Sequence, residues 1–596
     1  MTDGLTISWG PLMHSFLRVN PVGELRACVL LLAVASVIGC GSNAAPRQDT
    51  VGAVRAEPAD ILLLNGRVHT MDAPRSVATA VAIRGERIVA VGDDMTLEQF
   101  HGPATRVIDL MGKLVLPGFH DAHIHPVAGG LDMNGCALES ARSVEALLAL
   151  VRACVDSSKS EWLVGNGWDL SLFAKGNPSK TLLDAISTTK PMFLMGADGH
   201  SAWANSAALA RAKIDGATRN PPKGIVERDT SGAPSGTLRE SAVGLVAALI
   251  PQATMDERLA ALRRVTAMLN SVGITSVIEA SASAQTLDTY RRALAANELP
   301  MRVVVSIRYT PTNKDQALAL IDVSTRGIGQ IHIDAAKIFV DGVLEGETAA
   351  LLDPYLDRKP RHRGELNLSV DELKAALVAL DARGVQVHMH AIGDRAVRAA
   401  LDAVQAARAA NGPSDARHHI AHLQLVHPDD YPRFAALNVT ANFQALWAFP
   451  DGYIVNINGP AVGKARVDRM YPIASLKRAG ARIVGGSDWN VSSMNPLDAI
   501  QVALTRSDPE HVRPGVLNAN ERVDLDTMLT AYTVNAAWLM HQEKVTGTIE
   551  VGKYADLAVL DKDLFSIAPE EINHAKVVTT IFNGRVVYMN APAVVK

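Results

Sequence analysis

Between residues 114 and 488 the chain passes through eight short apolar, β-branched runs separated by stretches of helical periodicity, and this alternation limits its fold more than any other feature. Strands joined by helical crossovers pair in parallel, with the helices covering the sheet. The strand candidates are 114–123, 273–280, 301–308, 333–341, 385–391, 418–425, 438–446 and 481–488. Apolar residues recur at three and four in the helical stretches 255–271 and 370–383. Eight such units predict an α/β fold, a (β/α)₈ TIM barrel. The interval 124–272 is too long for one crossover and holds strand-like pieces of its own at 162–165, 192–196 and 224–228. It is expected to contribute an inserted lid or subdomain, residues 131–260, leaving 116–130 plus 261–540 as the barrel.

Both ends of this region are β-rich. An Asn65-Gly66 turn follows a strand at 60–64, a hairpin turns near Gly85, and residues 547–560 and 580–588 are again short strands with glycine turns. Neither end is large enough for its own core. Residues 59–115 and 541–596 are therefore expected to form one small composite β-sandwich.

The first forty residues read as an address. Arg18 and Arg26 precede an apolar run that is too short to span a membrane and ends in Gly39-Cys40-Gly41-Ser42. This pattern resembles a bacterial lipobox, with 1–39 as signal peptide, Cys40 as lipidation site and 40–58 as tether; a plain signal peptide is the alternative. Translation starts at Met1 or Met13. The expected product is an exported lipoprotein, periplasmic and membrane-anchored, touching the membrane only through its N-terminal lipid, or a soluble secreted form. Cys136 and Cys154 would remain, as a pair permitted by an oxidising compartment or as two buried thiols. A net charge of −4 argues against nucleic acid as a partner. Oligomeric state leaves no mark in the sequence.

The polar residues fall at the C-terminal ends of the strand candidates. His123 and His125 end the first, Lys337 lies in the fourth, His390 ends the fifth, His422 the sixth and Asp488 the eighth. In a barrel these ends open onto one face. His123 and His125 share a side of their strand and can grip one ion. Four imidazoles and a carboxylate suit Zn²⁺ or a similar divalent ion, with a position left for water. Singly, each has a structural explanation: a buried histidine, or for Asp488 a helix cap. Their joint placement decides for a shared site. His388 is in phase with His390, one layer deeper, and His418 and His419 sit at the wrong end of their strand; all three are left out.

Leu116-Pro117-Gly118-Phe119-His120-Asp121-Ala122-His123-Ile124-His125-Pro126 resembles the first-strand motif of the amidohydrolase superfamily. Asp198-Gly199-His200-Ser201-Ala202-Trp203-Ala204-Asn205-Ser206, Lys337–Gly342, His388–Ala396 and Gly486-Ser487-Asp488-Trp489 are similar to the YtcJ-like branch, which includes N-substituted formamide deformylases. The resemblance covers roughly 59–590. It implies His123, His125, His390 and His422 as metal ligands and Asp488 as ligand and general base. It also implies that Lys337 stands where relatives carry a carboxylated lysine bridging two metals. Ala421 departs from the acidic residue that relatives often have there.

The function expected is metal-dependent hydrolysis of a C–N bond (amide, N-substituted formamide, carbamate or urea-like) in a small organic substrate, with one metal ion, or two if Lys337 is carboxylated. A C–O hydrolase on the same scaffold, or a catalytically silent metal-binding lipoprotein, are the alternatives. His200, Trp203 and Asn205 are expected to close over the site and contact substrate. Trp168, Trp447 and Trp489 fit either a pocket lining or packing.

Overall fold

The structure, a computed structural model, describes residues 56–356 and 361–590. The signal segment 1–39, Cys40 and the tether up to residue 55 lie outside the described residues. Eight parallel strands pair in sequence order. They are β1 (Phe119–Ile124), β2 (Ile274–Ala282), β3 (Arg302–Arg308), β4 (Ile331–Phe339), β5 (Gln386–Ala391), β6 (His419–His422), β7 (Thr440–Phe443) and β8 (Ile483–Gly485). This is the expected α/β TIM barrel. The gap between β8 and β1 is bridged at the C-terminal end by two backbone hydrogen bonds, Asp488 N to His123 O (2.7 Å) and His125 N to Trp489 O (2.9 Å). Gly486 makes that approach possible, because a Cβ there would lie 2.7 Å from both the Cβ and the amide nitrogen of His123.

Alternation along the strands sets the layers. In β5, Val387 and Met389 join the apolar cluster between barrel and helices, which also takes Leu262, Val265, Leu377 and Val404. Each such buried aliphatic side chain contributes roughly 1.5–3 kcal/mol. His388 and His390, the alternate residues, face the inside. Helices begin where the sequence supplies caps. Thr254 and Glu257 form a capping box for Met255–Ser271, and Ser369 and Glu372 form one for Val370–Asp381.

The first strand candidate needs correcting. The run 114–123 is two strands, Leu114–Pro117 in an end sheet and Phe119–Ile124 in the barrel. The chain changes sheets at Gly118, where a Cβ would lie 2.4 Å from Thr275 Oγ1. Without a side chain at that residue, the two sheets can meet this closely. β6, β7 and β8 are also shorter than expected. Left-handed backbone at His422 (φ 80°) and Leu423 (φ 51°) ends β6, and Asp488 (φ 53°) lies three residues past β8.

Both chain ends build two further sheets. A four-stranded one takes residues 61–64, 80–84, 87–92 and 106–109, and a six-stranded one joins Leu114–Pro117 antiparallel to Leu557–Leu560. Ile61, Val81 and Ile108 of one sheet share an apolar cluster with Val115, Leu557 and Ile581 of the other. Residues 136–240 form a six-stranded mixed sheet between β1 and β2, with cores around Trp168 and around Phe193. Cys136 and Cys154 are joined as a disulfide that ties its edge strand to the helix Val144–Ser157. Among the described residues, no helix is long and apolar enough to cross a membrane.

Candidate metal centre

The barrel brings the sequence-expected residues to one mouth. His123 comes from β1, and His125 is the first residue past it, at the N-terminal boundary of the helix Pro126–Asp132. Asp488 Oδ1 lies 3.4 Å from His123 Nε2 and 3.2 Å from His125 Nε2. Ligand atoms of these three residues lie within 4.8 Å of one another. His422 Nδ1 is 3.8 Å from Asp488 Oδ2 and has no hydrogen-bond partner among the described residues. His390 stands beside it, ring centroids 4.4 Å apart, with Nε2 3.1 Å from Gly342 O. Lys337 is fully buried, with Nζ 3.4 Å from His123 Nε2.

Burial governs the charges. It drives the Lys337 amine down to about 7 and, with that amine alongside, the His123 imidazole to about 3. It would also lower His125, but the carboxylates of Asp488 and Glu279 lift that imidazole to about 9. Asp488, which burial alone would raise, is held well below the carboxylate range by His123 and His125. The Asp488 carboxylate thus faces a neutral His123 and a protonated His125, and once a cation displaces the His125 proton these three form a donor set that fits a divalent ion.

Three residues outside the expected set support the site. Glu279, near the end of β2, has Oε1 3.6 Å from His125 Nδ1 and accepts a hydrogen bond from Tyr290 Oη at 3.0 Å. A lone acid in an otherwise uncharged strand candidate was the signal for it. His388 Nε2 is 2.9 Å from His123 Nδ1, and its ring packs on His419 at 4.0 Å. Its phase with His390 was the signal, and leaving it out understated its part. One proton shared along that contact leaves His123 Nε2 facing Asp488. Asp341 is a third support. It accepts hydrogen bonds from the amides of Ala350, Ile392 and Gly393, which pins the turn after His390.

A cleft of about 700 Å³ opens above the site, lined by His200, His390, His422, Trp447 and Asp488 among others. His200, from the inserted sheet, is fixed by Glu240 (Nδ1 to Oε2, 2.9 Å) and lies 5.3 Å from the His390 ring. Trp447 stacks on His422. Trp203 and Asn205 do not join them. Trp203 is fully buried against Trp168 and Phe173, its indole nitrogen donating to Ser179 O. Asn205 caps the helix Ser206–Arg211 and its amide donates to Ser187 O and Lys190 O. Both serve the packing of the inserted sheet, which corrects their expected substrate contact.

A family model described as "Amidohydrolase family" matches residues 106–588. The chain is similar to Protein LONG AFTER FAR-RED 3 of Arabidopsis thaliana, 31% identical over 544 residues that cover 89% of this chain and 92% of that one. It is similar to an N-substituted formamide deformylase of Arthrobacter pascens, 29% identical over 538 residues, 88% of this chain and 97% of that one. Among solved structures, an uncharacterized metal-dependent hydrolase from Pyrococcus furiosus matches with a TM-score of 0.65 and 27% identity, over 84% of this chain and 99% of that one.

Proposed function

The chain belongs to the amidohydrolase family, and on that premise we propose that it hydrolyses a C–N bond (amide, N-substituted formamide, carbamate or urea-like) in a small organic molecule. The observation that carries this reading is the convergence of His123, His125 and Asp488 on one point, with Asp488 lining the cleft. The deformylase among its relatives supports the bond type.

In this reading His123, His125 and Asp488 hold a divalent ion, Zn²⁺ by the chemistry of the donors. His390 and His422 hold a second if Lys337 is carboxylated. A neutral buried amine is the form that adds to carbon dioxide, forming an N–C bond and losing a proton, so the depressed Lys337 fits that modification. Held by His123, His125 and Asp488, a divalent ion would supply a water of near-neutral pKa and an electrophile for a carbonyl oxygen. Asp488 takes the proton of the attacking water and passes it to the leaving nitrogen. Glu279 and His388 keep the His125 and His123 rings in place, and His200 contacts the substrate from above. The two end sheets form the composite β-sandwich and the inserted sheet a lid. The chain acts as an exported lipoprotein anchored through Cys40, which the Cys136–Cys154 disulfide supports.

The test is hydrolysis of a panel of N-formyl and N-acyl amines before and after chelation, with metal content read alongside. Activity is expected to vanish on chelation and return with Zn²⁺. Asp488→Asn is expected to lower kcat by about 10³-fold or more, judged against the general range for such residues, while most bound metal stays. Retained turnover by that variant would sink the assignment of the base.

A further inference from the structure

Several hydrogen-bond acceptors line the cleft above the site. Glu345, buried, and Asp451, half-buried, both line it. Glu345 Oε1 accepts from Asn458 Nδ2 at 2.7 Å and Asp451 Oδ1 from the amide of Ile454 at 2.8 Å. The second oxygen of Asp451 accepts no hydrogen bond among the described residues. No Lys, Arg or His nitrogen among those residues forms an ion pair with either carboxylate. Arg142 and Arg513, which also line the cleft, are exposed, and His200 is already paired with Glu240.

A second observation is independent of the acids. Asn458 is 1% exposed and lines the cleft, yet its Oδ1 has no donor among the described residues. Its orientation is set, because its amide nitrogen must be the atom facing the Glu345 carboxylate. Gln424, 4% exposed and lining the same cleft, likewise leaves Oε1 without a donor. Buried acceptors without donors are costly and ordinarily find partners. The aromatic residues Phe449 and Tyr453 also line the cleft. Burial pushes both carboxylates up, with Asp198 adding to the effect on Glu345 and Glu345 to that on Asp451, which reaches about 7 although Arg513 lowers it through space. Bringing a cation between them would reverse that effect.

We propose that the substrate carries, besides its scissile C–N bond, a positively charged amino or ammonium group, which Glu345, Asp451 and Asn458 receive. This rests on the C–N hydrolase reading above. An ammonium group offers three donors and a charge to acceptors that form no ion pair among the described residues, and aromatic residues beside them can favour the same cation. Anionic substrates are repelled by the same residues.

The test is a calorimetric titration of the metal-loaded full chain with 6-aminohexan-1-ol, a cation at neutral pH, and with hexane-1,6-diol, its neutral counterpart. The amine is expected to bind about tenfold more tightly or better, less so at high salt. Glu345→Gln and Asp451→Asn are each expected to reduce that ratio severalfold and leave diol binding unchanged. Equal binding of the two, no binding of either at millimolar concentration, or a preference that survives the double variant overturns the proposal. The comparison on the unmodified protein decides even where a variant does not fold. Turnover is not needed. Loss of the preference therefore leaves C–N hydrolysis standing, and a preference retained by a protein that hydrolyses no N-acyl amine overturns the hydrolase reading instead.

Discussion

His388 shows how a residue that touches no substrate can still set the chemistry. Its Nε2 meets His123 Nδ1 at 2.9 Å, so it fixes both the rotation of the His123 ring and the nitrogen left for a ligand. His388→Leu is expected to weaken metal affinity by about 10–100-fold, read by competition with a chelator. His388→Gln, which keeps a polar partner there, should recover part of it. Equal affinities in all three proteins would show that His123 orients itself. His123, His125, Lys337, His390, His422 and Asp488 were legible in the sequence because each sits at or near a strand end. Glu279 sat in a strand candidate with no motif to flag it. Trp203 and Asn205 misled for the opposite reason: they stand in a motif, but their side chains turn into the inserted sheet, where indole burial and helix capping use them up.

Elements were legible in kind more than in extent. Hydrophobic alternation located all eight barrel strands, but it could not see Gly118 divide one apolar run between two sheets. Nor could it see the left-handed residues that cut β6 short. Such backbone is strained for a histidine and persists only where its surroundings hold it. The segment after β8 carries the sharpest element-scale prediction. Gly486→Ala would place a methyl against His123, at an overpacking cost of about 1–3 kcal/mol. The variant is expected to show a lower denaturation midpoint and weaker metal binding together. Gly244→Ala, where a Cβ meets nothing within 4 Å, is the control. A stable Gly486→Ala protein with unchanged metal affinity would mean the segment yields without disturbing the site.

At the scale of the whole molecule, charge at the opposite end of the barrel links stability to acid. Asp381, at the end of the helix Val370–Asp381, receives hydrogen bonds from Arg408, Asn411 and His418. His418 Nδ1 accepts the amide of Val387, so its Nε2 carries the proton given to Asp381. Burial alone would raise Asp381; these donors hold it well below the usual carboxylate range. A carboxylate depressed in the folded state contributes stability above its unfolded value, near 4, and loses it as pH falls toward the folded one. Asp381→Asn is therefore expected to lower stability at neutral pH and to flatten the fall below about pH 4, measured by urea titration across pH. A parallel fall in both proteins would assign the acid limb to other groups. The joint between β8 and β1 has a different consequence for the molecule. The two backbone bonds that bridge it belong to residues 123, 125, 488 and 489, the same stretch that supplies the ion's three donors. A newly made chain therefore cannot finish its barrel first and acquire its active centre afterwards. If these residues hold an ion as proposed, the last fold of the ring and the first competent grip on it are one event, and the ion would act as a latch on the ring.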